Sequence, residues 1–469
     1  MKQLYRITTI LLLFVATAVY AGGVEENSNQ SVEWMMTQNR NASLDADAVY
    51  HNPAGTALMN DGVYLYVSNQ FIYQPITVDS DNPNLNDGTY DATKTSYLFP
   101  DLYLVFKKWD MAFSLGLFGI GGGGTAAYPD GLPSFENDLA ATAAAANGVG
   151  VGAWSDIAVG GDGSGATLDA LAGAGTTAGL NAGYGTINGY TQDSEFEGSS
   201  SYYSFQVNYA YAFLKNFSLS AGYRFIYAYN TYTGEISNLS LTTSSGLPVD
   251  TSFPIGPIGA NFAKKKVDVV QTGMAHGVIV GMDAKPSEEL NIGLKFQWCS
   301  PLKLKNDTSK DDTGMFPDGE TTRHTLPMQI GLGFNYTFKD GAAKGLSLGS
   351  SANVFLNREV NWDGDREDNY NTGVEVGAGF AYTLQMVPLT LGASYGFGTD
   401  GENSDTRSDL GEGLDWHNVG VGLSYEIIKN LKISVAYLLT YYVPADVDNT
   451  SIDVDFEKIG HNAGLSISY

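Results

Sequence analysis

The sequence predicts an all-β fold, a transmembrane antiparallel β-barrel of about fourteen strands with a small N-terminal hatch inside its lumen. Three observations lead there. Beyond residue 61 the chain alternates with a period of two, so that in FSLSAGYRFIY the residues Phe217, Leu219, Ala221, Tyr223, Phe225 and Tyr227 share one face and Ser218, Ser220, Gly222 and Arg224 the other. The connections alternate strictly between tight turns (KKWD, LKN, KPSEE, KDGAAKG, QMVP, IIKN) and long loops rich in Asp, Gly, Asn and Ser. This pattern separates a membrane barrel, greasy outside and polar within, from a soluble sandwich with the same alternation. Composition agrees: Gly is 56 of 469 residues, Tyr 29 and Phe 22, with charged residues at only 16% against a usual share of about 25%.

The elements follow in chain order. Residues 1–21 read as a secretory signal peptide, with Lys2 and Arg6 ahead of an apolar run at 7–19 and small residues before a cut after Ala21. The next segment, 22–61, does not alternate. Trp34, Met35, Met36, Leu44, Val49 and Tyr50 make it too apolar for a solvated tail, and the lumen of a wide barrel offers a place to bury it. Ser43, Asp45 and Asp47 are candidate caps for short helices, and Pro53-Ala54-Gly55 a stop before the first strand. Strands are expected near 62–74, 96–107, 110–121, 199–213, 216–232, 270–284, 289–301, 322–338, 345–358, 370–384, 388–398, 414–427, 430–442 and 456–469, making 62–469 the barrel. An even count returns the chain to its starting side, which places both termini in the periplasm of a Gram-negative outer membrane. The longest loop, 122–198, carries LAATAAAANGVGVGAW, whose Ala spacing permits a helix resting on the barrel mouth.

Charge and cysteine content narrow the function. A net charge of −26 argues against nucleic acid or an anionic surface as partner. Cys299 is the only cysteine, so no disulfide framework holds the fold. The five histidines show no zinc spacing. Ser and His occur without a GxSxG or other nucleophile signature, so the sequence supplies no case for an enzyme and calls for no cofactor or metal. In NWDGDREDN, Asp363, Asp365 and Glu367 stand two apart as in a calcium loop, but its Gly and closing Glu are missing at their spacing, and solvated acidity is the expected role.

Four stretches carry a family resemblance: AVYHNPAG ahead of the first strand, HTLPMQIGLGFNY at 324–336, HNVGVGLSYEI at 417–427, and the terminal aromatic Tyr469. They resemble the FadL/TodX-type outer-membrane transporters of long-chain fatty acids and other hydrophobic compounds. The resemblance implies a fourteen-stranded barrel, an N-terminal hatch containing the Asn-Pro-Ala turn (Asn52, Pro53 and Ala54, with Gly55 completing it), and a kinked third strand that opens the wall sideways. It implies hydrophobic small molecules and outer-membrane lipid as partners, with barrel-assembly machinery reading Tyr469 and the chain working as a monomer.

Two sets of residues then become candidates. Alternation places Arg224 and Lys295 on the polar faces of strands five and seven and Glu375 inward on strand ten. The two cations either hold a ligand carboxylate or neutralise Glu375. The run Gly119, Gly121, Gly122, Gly123 and Gly124 ends strand three, as a lateral gate or as a flexible entry into the long loop. The expected function is ligand-gated passive uptake of hydrophobic molecules. A polar-solute porin and a lipid-modifying barrel enzyme are the alternatives.

Overall fold

The computed structural model describes residues 31–403, 406, 407, 409, 411, 413–448 and 453–469. The leader and the first residues of the expected hatch, 22–30, lie outside this set. Seventeen strands form one antiparallel sheet: β1 (Gly62–Ser80), β2 (Thr89–Lys108), β3 (Met111–Tyr128), β4 (Ile187–Leu214), β5 (Phe217–Thr243), β6 (Lys265–Ala284), β7 (Leu290–Cys299), β8 (Lys303–Asp311), β9 (Thr321–Arg323), β10 (Met328–Thr337), β11 (Leu346–Leu356), β12 (Gly373–Thr383), β13 (Leu389–Thr399), β14 (Trp416–Ile428), β15 (Leu431–Tyr442), β16 (Ala445–Asp448) and β17 (Asp453–Ser468). Fourteen of them close the ring. β1 to β7 pair in succession, β7 passes to β10, β10 to β15 continue in order, and β17 joins β15 to β1. β8, β9 and β16 are short additions within loops and do not change the count. Closure pairs every membrane strand on both sides, which a bilayer interior requires.

Burial inverts that of a soluble sandwich. On β5 the outward Leu219 and Tyr223 are 45% and 42% exposed, whereas Ser220 and Arg224 between them are 6% and 0%. The greasy face meets lipid and the polar face lines the lumen. On β1 the outward row reads Val63, Leu65, Val67, Asn69, Phe71, Tyr73 and Pro75, then turns fully polar at Thr77 and Asp79, which marks the upper margin of the apolar belt. Tight turns at 109–110, 215–216, 285–289, 338–345, 384–388 and 429–430 share one rim with the start of β1 and the end of β17.

Several strands run further than their apolar alternation suggested. β4 and β5 form a hairpin of 28 and 27 residues that rises beyond the belt through Ile187 and Thr243, past the 199 and 232 at which the alternation stops. Against this hairpin pack four helices of the longest loop, α1 (Pro133–Ala146), α2 (Val151–Ala158), α3 (Ala166–Ala172) and α4 (Thr176–Tyr184). The expected Ala-rich helix is α1. Its Leu139 joins Trp154, Leu168 and Leu180 in a core shared with Tyr190 and Leu241 of the hairpin.

Candidate functional site in the lumen

Residues 31–58 lie inside the barrel and are almost wholly buried. A helix at Val32–Thr37 is capped by Ser31, whose Oγ accepts from the Trp34 N–H at 2.9 Å. Asp47 precedes a helical turn, Ala48–His51, without capping it. Its carboxylate instead accepts from Arg40 twice at 2.7 Å, from Ser43 at 2.6 Å and from Ser31 at 2.8 Å, tying the two halves of the segment together. The Ala48–His51 helix ends at Asn52, just ahead of Pro53 as expected, and Pro53 then begins a 3-10 turn (Pro53–Leu58), where its missing N–H and fixed φ suit a first helical position. Asn52 caps that turn through Ala54 N–H at 3.3 Å. The Asn52 side chain also donates to the Met282 carbonyl (3.0 Å) and Asp283 (3.3 Å) of β6, while Ser218 of β5 donates to the Ala54 carbonyl at 2.7 Å. At Gly55 a Cβ would stand 2.2 Å from the Ser43 carbonyl oxygen, so only glycine fits there.

From β7 round to β14 the wall accepts the segment by offering no side chains. A Cβ at Gly420 would lie 1.9 Å from the Met35 carbonyl oxygen, at Gly379 2.0 Å from that of Thr37, and at Gly293 2.0 Å from that of Asn41. Inward glycines on β7, β12 and β14 thus form seats for the plug's backbone. Glu33, buried in the same half, accepts from Ser434 at 2.8 Å and Ser466 at 3.2 Å.

Arg224 and Lys295 converge on one ring. The Arg224 guanidinium carbon stands 5.1 Å and the Lys295 ammonium 5.0 Å from the ring centre of Tyr50, a plug residue. Both cations are buried. Arg224 also lies 5.3 Å from the Phe118 ring and donates to Gln206 at 2.8 Å, and Gln206 in turn donates to the Val49 carbonyl at 2.6 Å. Beside these charges the lumen faces of β1 to β6 bring together Tyr66, Tyr103, Phe118, Ile120, Tyr202 and Ile226 in one apolar cluster. Glu375 of β12 is buried as expected and accepts from Asn353 at 3.2 Å. It occupies the same ladder row as Lys295, through Gly331 and Asn353. Three strand steps of about 4.8 Å put their backbones roughly 14 Å apart along the wall.

His51, next to Tyr50, was not singled out by its sequence context. Its ring meets that of Tyr50 edge-on with centres 5.0 Å apart, and its Nε2 is buried with no hydrogen-bond partner among the described residues. Burial pulls its imidazole from the ordinary 6.5 to about 3, assisted by the charges of Lys295 and Arg40 and opposed by Asp47.

The glycine run coincides with a break in the wall. β2 and β3 pair up to Thr95 and Thr125 and resume at Asp101 and Phe118, leaving 96–100 and 119–124 without ladder partners across that seam. Gly122 and Gly124 have φ of 84° and 106°, which glycine alone adopts cheaply. Across the seam, Tyr97 and Leu98 bulge outward and are 74% and 75% exposed. Pro100, which has no N–H for a ladder, carried the signal for this break on the β2 side.

The acidic stretch has a local role. Asp363 accepts from Arg323 Nε at 2.9 Å, and Glu367 from the Trp362 N–H at 3.1 Å. Among the described residues no group of three or more His, Cys, Asp or Glu side chains is placed to hold a metal ion.

No protein-family model matches the chain, and no curated protein matches it by sequence. Solved structures do. A Pseudomonas aeruginosa FadL homologue superposes with a TM-score of 0.61 at 14% identity, over 95% of this chain and 99% of its own. The Pseudomonas putida toluene transporter TodX gives 0.54 at 14% identity over 90% and 93%, and the Ralstonia pickettii toluene transporter TbuX 0.50 at 15% over 90% and 93%. The fold is that of the FadL-type barrels.

Proposed function

We propose that the chain is a FadL-type outer-membrane channel that passes hydrophobic molecules inward by passive diffusion, with its N-terminal segment as the hatch. The observation that carries this reading is the pairing of a plugged lumen with an apolar cluster ending on two buried cations. A polar-solute pore has no use for either feature. An amphipathic ligand with an anionic head fits both, its chain against Tyr103, Phe118 and Ile226 and its carboxylate at Arg224 and Lys295. The seam between β2 and β3 is the lateral gate, since it joins this apolar interior to the lipid-facing side.

Affinity measurements on the purified barrel test the reading. Replacing Arg224 or Lys295 by Met removes a charge-assisted bond of about 1.5–3 kcal/mol, roughly ten- to hundredfold in affinity. A long-chain fatty acid should bind worse by that factor while its methyl ester is unaffected. If both cations serve only Glu375, acid and ester weaken together and Glu375→Gln restores them.

A further inference from the structure

His51 stands out among the buried polar groups around the plug. Buried imidazole nitrogens are normally hydrogen-bonded, because the alternative is an uncompensated loss of water. Nε2 of His51 is buried without a partner among the described residues. Its location gives this nitrogen its meaning. The ring touches Tyr50, and Tyr50 is the ring on which Arg224 and Lys295 converge. Three nitrogen-bearing side chains therefore surround one aromatic ring, two from the wall and one from the plug. The charged groups bearing on His51 are Asp47 and Arg40 within the plug and Lys295 on β7. Burial, with the charges of Lys295 and Arg40 beside it, keeps the imidazole neutral, and a neutral imidazole keeps one N–H to donate.

We propose that His51 supplies the plug's own contact to the ligand, its Nε2–H donating to an anionic head group held between Arg224 and Lys295. This rests on the cation-site reading given above and deepens it. The wall cations already reach the plug through the Tyr50 ring and, by way of Gln206, the Val49 carbonyl, but a ligand held by them alone makes no bond of its own to the plug. A bond to His51 ties head-group occupancy to the residue that precedes Asn52, and Asn52 holds the plug to β6 through Met282 and Asp283. The ligand class is thereby narrowed to amphiphiles whose head accepts hydrogen bonds and carries negative charge, with carboxylates as the type.

The test compares His51→Phe and His51→Gln in the full barrel, using a long-chain fatty acid and its methyl ester as probes. The expected result is an acid affinity about tenfold weaker in His51→Phe, the loss of one bond to a charged partner. The ester should be unchanged, and His51→Gln, which keeps a donor, should recover most of the loss. In the wild-type barrel labelled with 15N-histidine, the acid but not the ester should shift the His51 Nε2 resonance, a readout that stands even where a variant fails to fold. An acid affinity unaltered in His51→Phe, an equal loss for acid and ester, or an unshifted resonance overturns the proposal while leaving the cation site standing. A wild-type barrel that binds acid and ester equally overturns the cation site itself, and this inference with it.

Discussion

Gly379, Gly420 and Gly293 face the lumen where a reader of alternation sees merely small residues, yet each is spent on a carbonyl oxygen of the plug about 2 Å from where its Cβ would be. Gly379→Val should therefore leave the barrel folded but lift the plug's Thr37 off the wall, raising ion leak through the purified protein in planar bilayers. A closed barrel with wild-type conductance would remove the seat. The plug also carries a pH dependence. His51 binds a proton below about 6.5 when released but only near 3 when docked, so the docked form is favoured above 6.5 and loses that advantage as pH falls toward 3. Asp47 adds to this in the same direction at lower pH. Burial works against its ionisation, but Arg40 outweighs that and holds the carboxyl below its usual 3.8, so its contribution is present above 3.8 and lost on further acidification. Leak should rise between pH 6.5 and 4 in the wild type, and His51→Phe should flatten that rise. The same profile in both proteins would assign it elsewhere.

The membrane strands were legible because their outward faces need an unbroken apolar belt, which leaves a period-two trace in stretches such as LTLGASYGFG. The upper half of the β4–β5 hairpin was not. In INGYTQDSEFEGSS both faces meet water, loop or cap, so no contrast marks the strand, and the structure there rests on backbone pairing from Glu195 with Glu235 through Ser199 with Thr231. The plug was legible as buried apolar sequence, but its wall contacts were not, because glycine seats are defined by a partner hundreds of residues away. The cation pair was found by alternation, while its meeting at Tyr50 depends on where the plug sits. At the seam the Gly run is visible in the sequence, whereas Pro100 lies inside a stretch that otherwise alternates as a strand. Gly122→Ala tests the strain there. With φ at 84° and a Cβ 2.0 Å from the Ser200 carbonyl oxygen, it should cost about 1–3 kcal/mol, read as a lowered denaturant midpoint of the barrel. Unchanged stability would mean the β3 backbone is free to relax at the seam.

As a whole the molecule is a closed cylinder with an acidic, loop-covered end and a short-turn end, and its net charge of −26 belongs to a chain whose lumen retains buried cations at its apolar centre. Tags inserted in 129–186 and 244–264 should be reachable on intact cells, and tags in 285–289 and 338–345 should not. Labelling of both sets would contradict the orientation. The proposed transport is the reading that joins a plug, an apolar lumen, a cation pair and a wall seam in one passage. The most direct measurement is influx into vesicles carrying the purified barrel, following a labelled long-chain fatty acid and steady ionic current on the same preparation. Saturable fatty-acid influx with little steady current is expected. A large steady current without fatty-acid influx would contradict it and make the chain a polar pore.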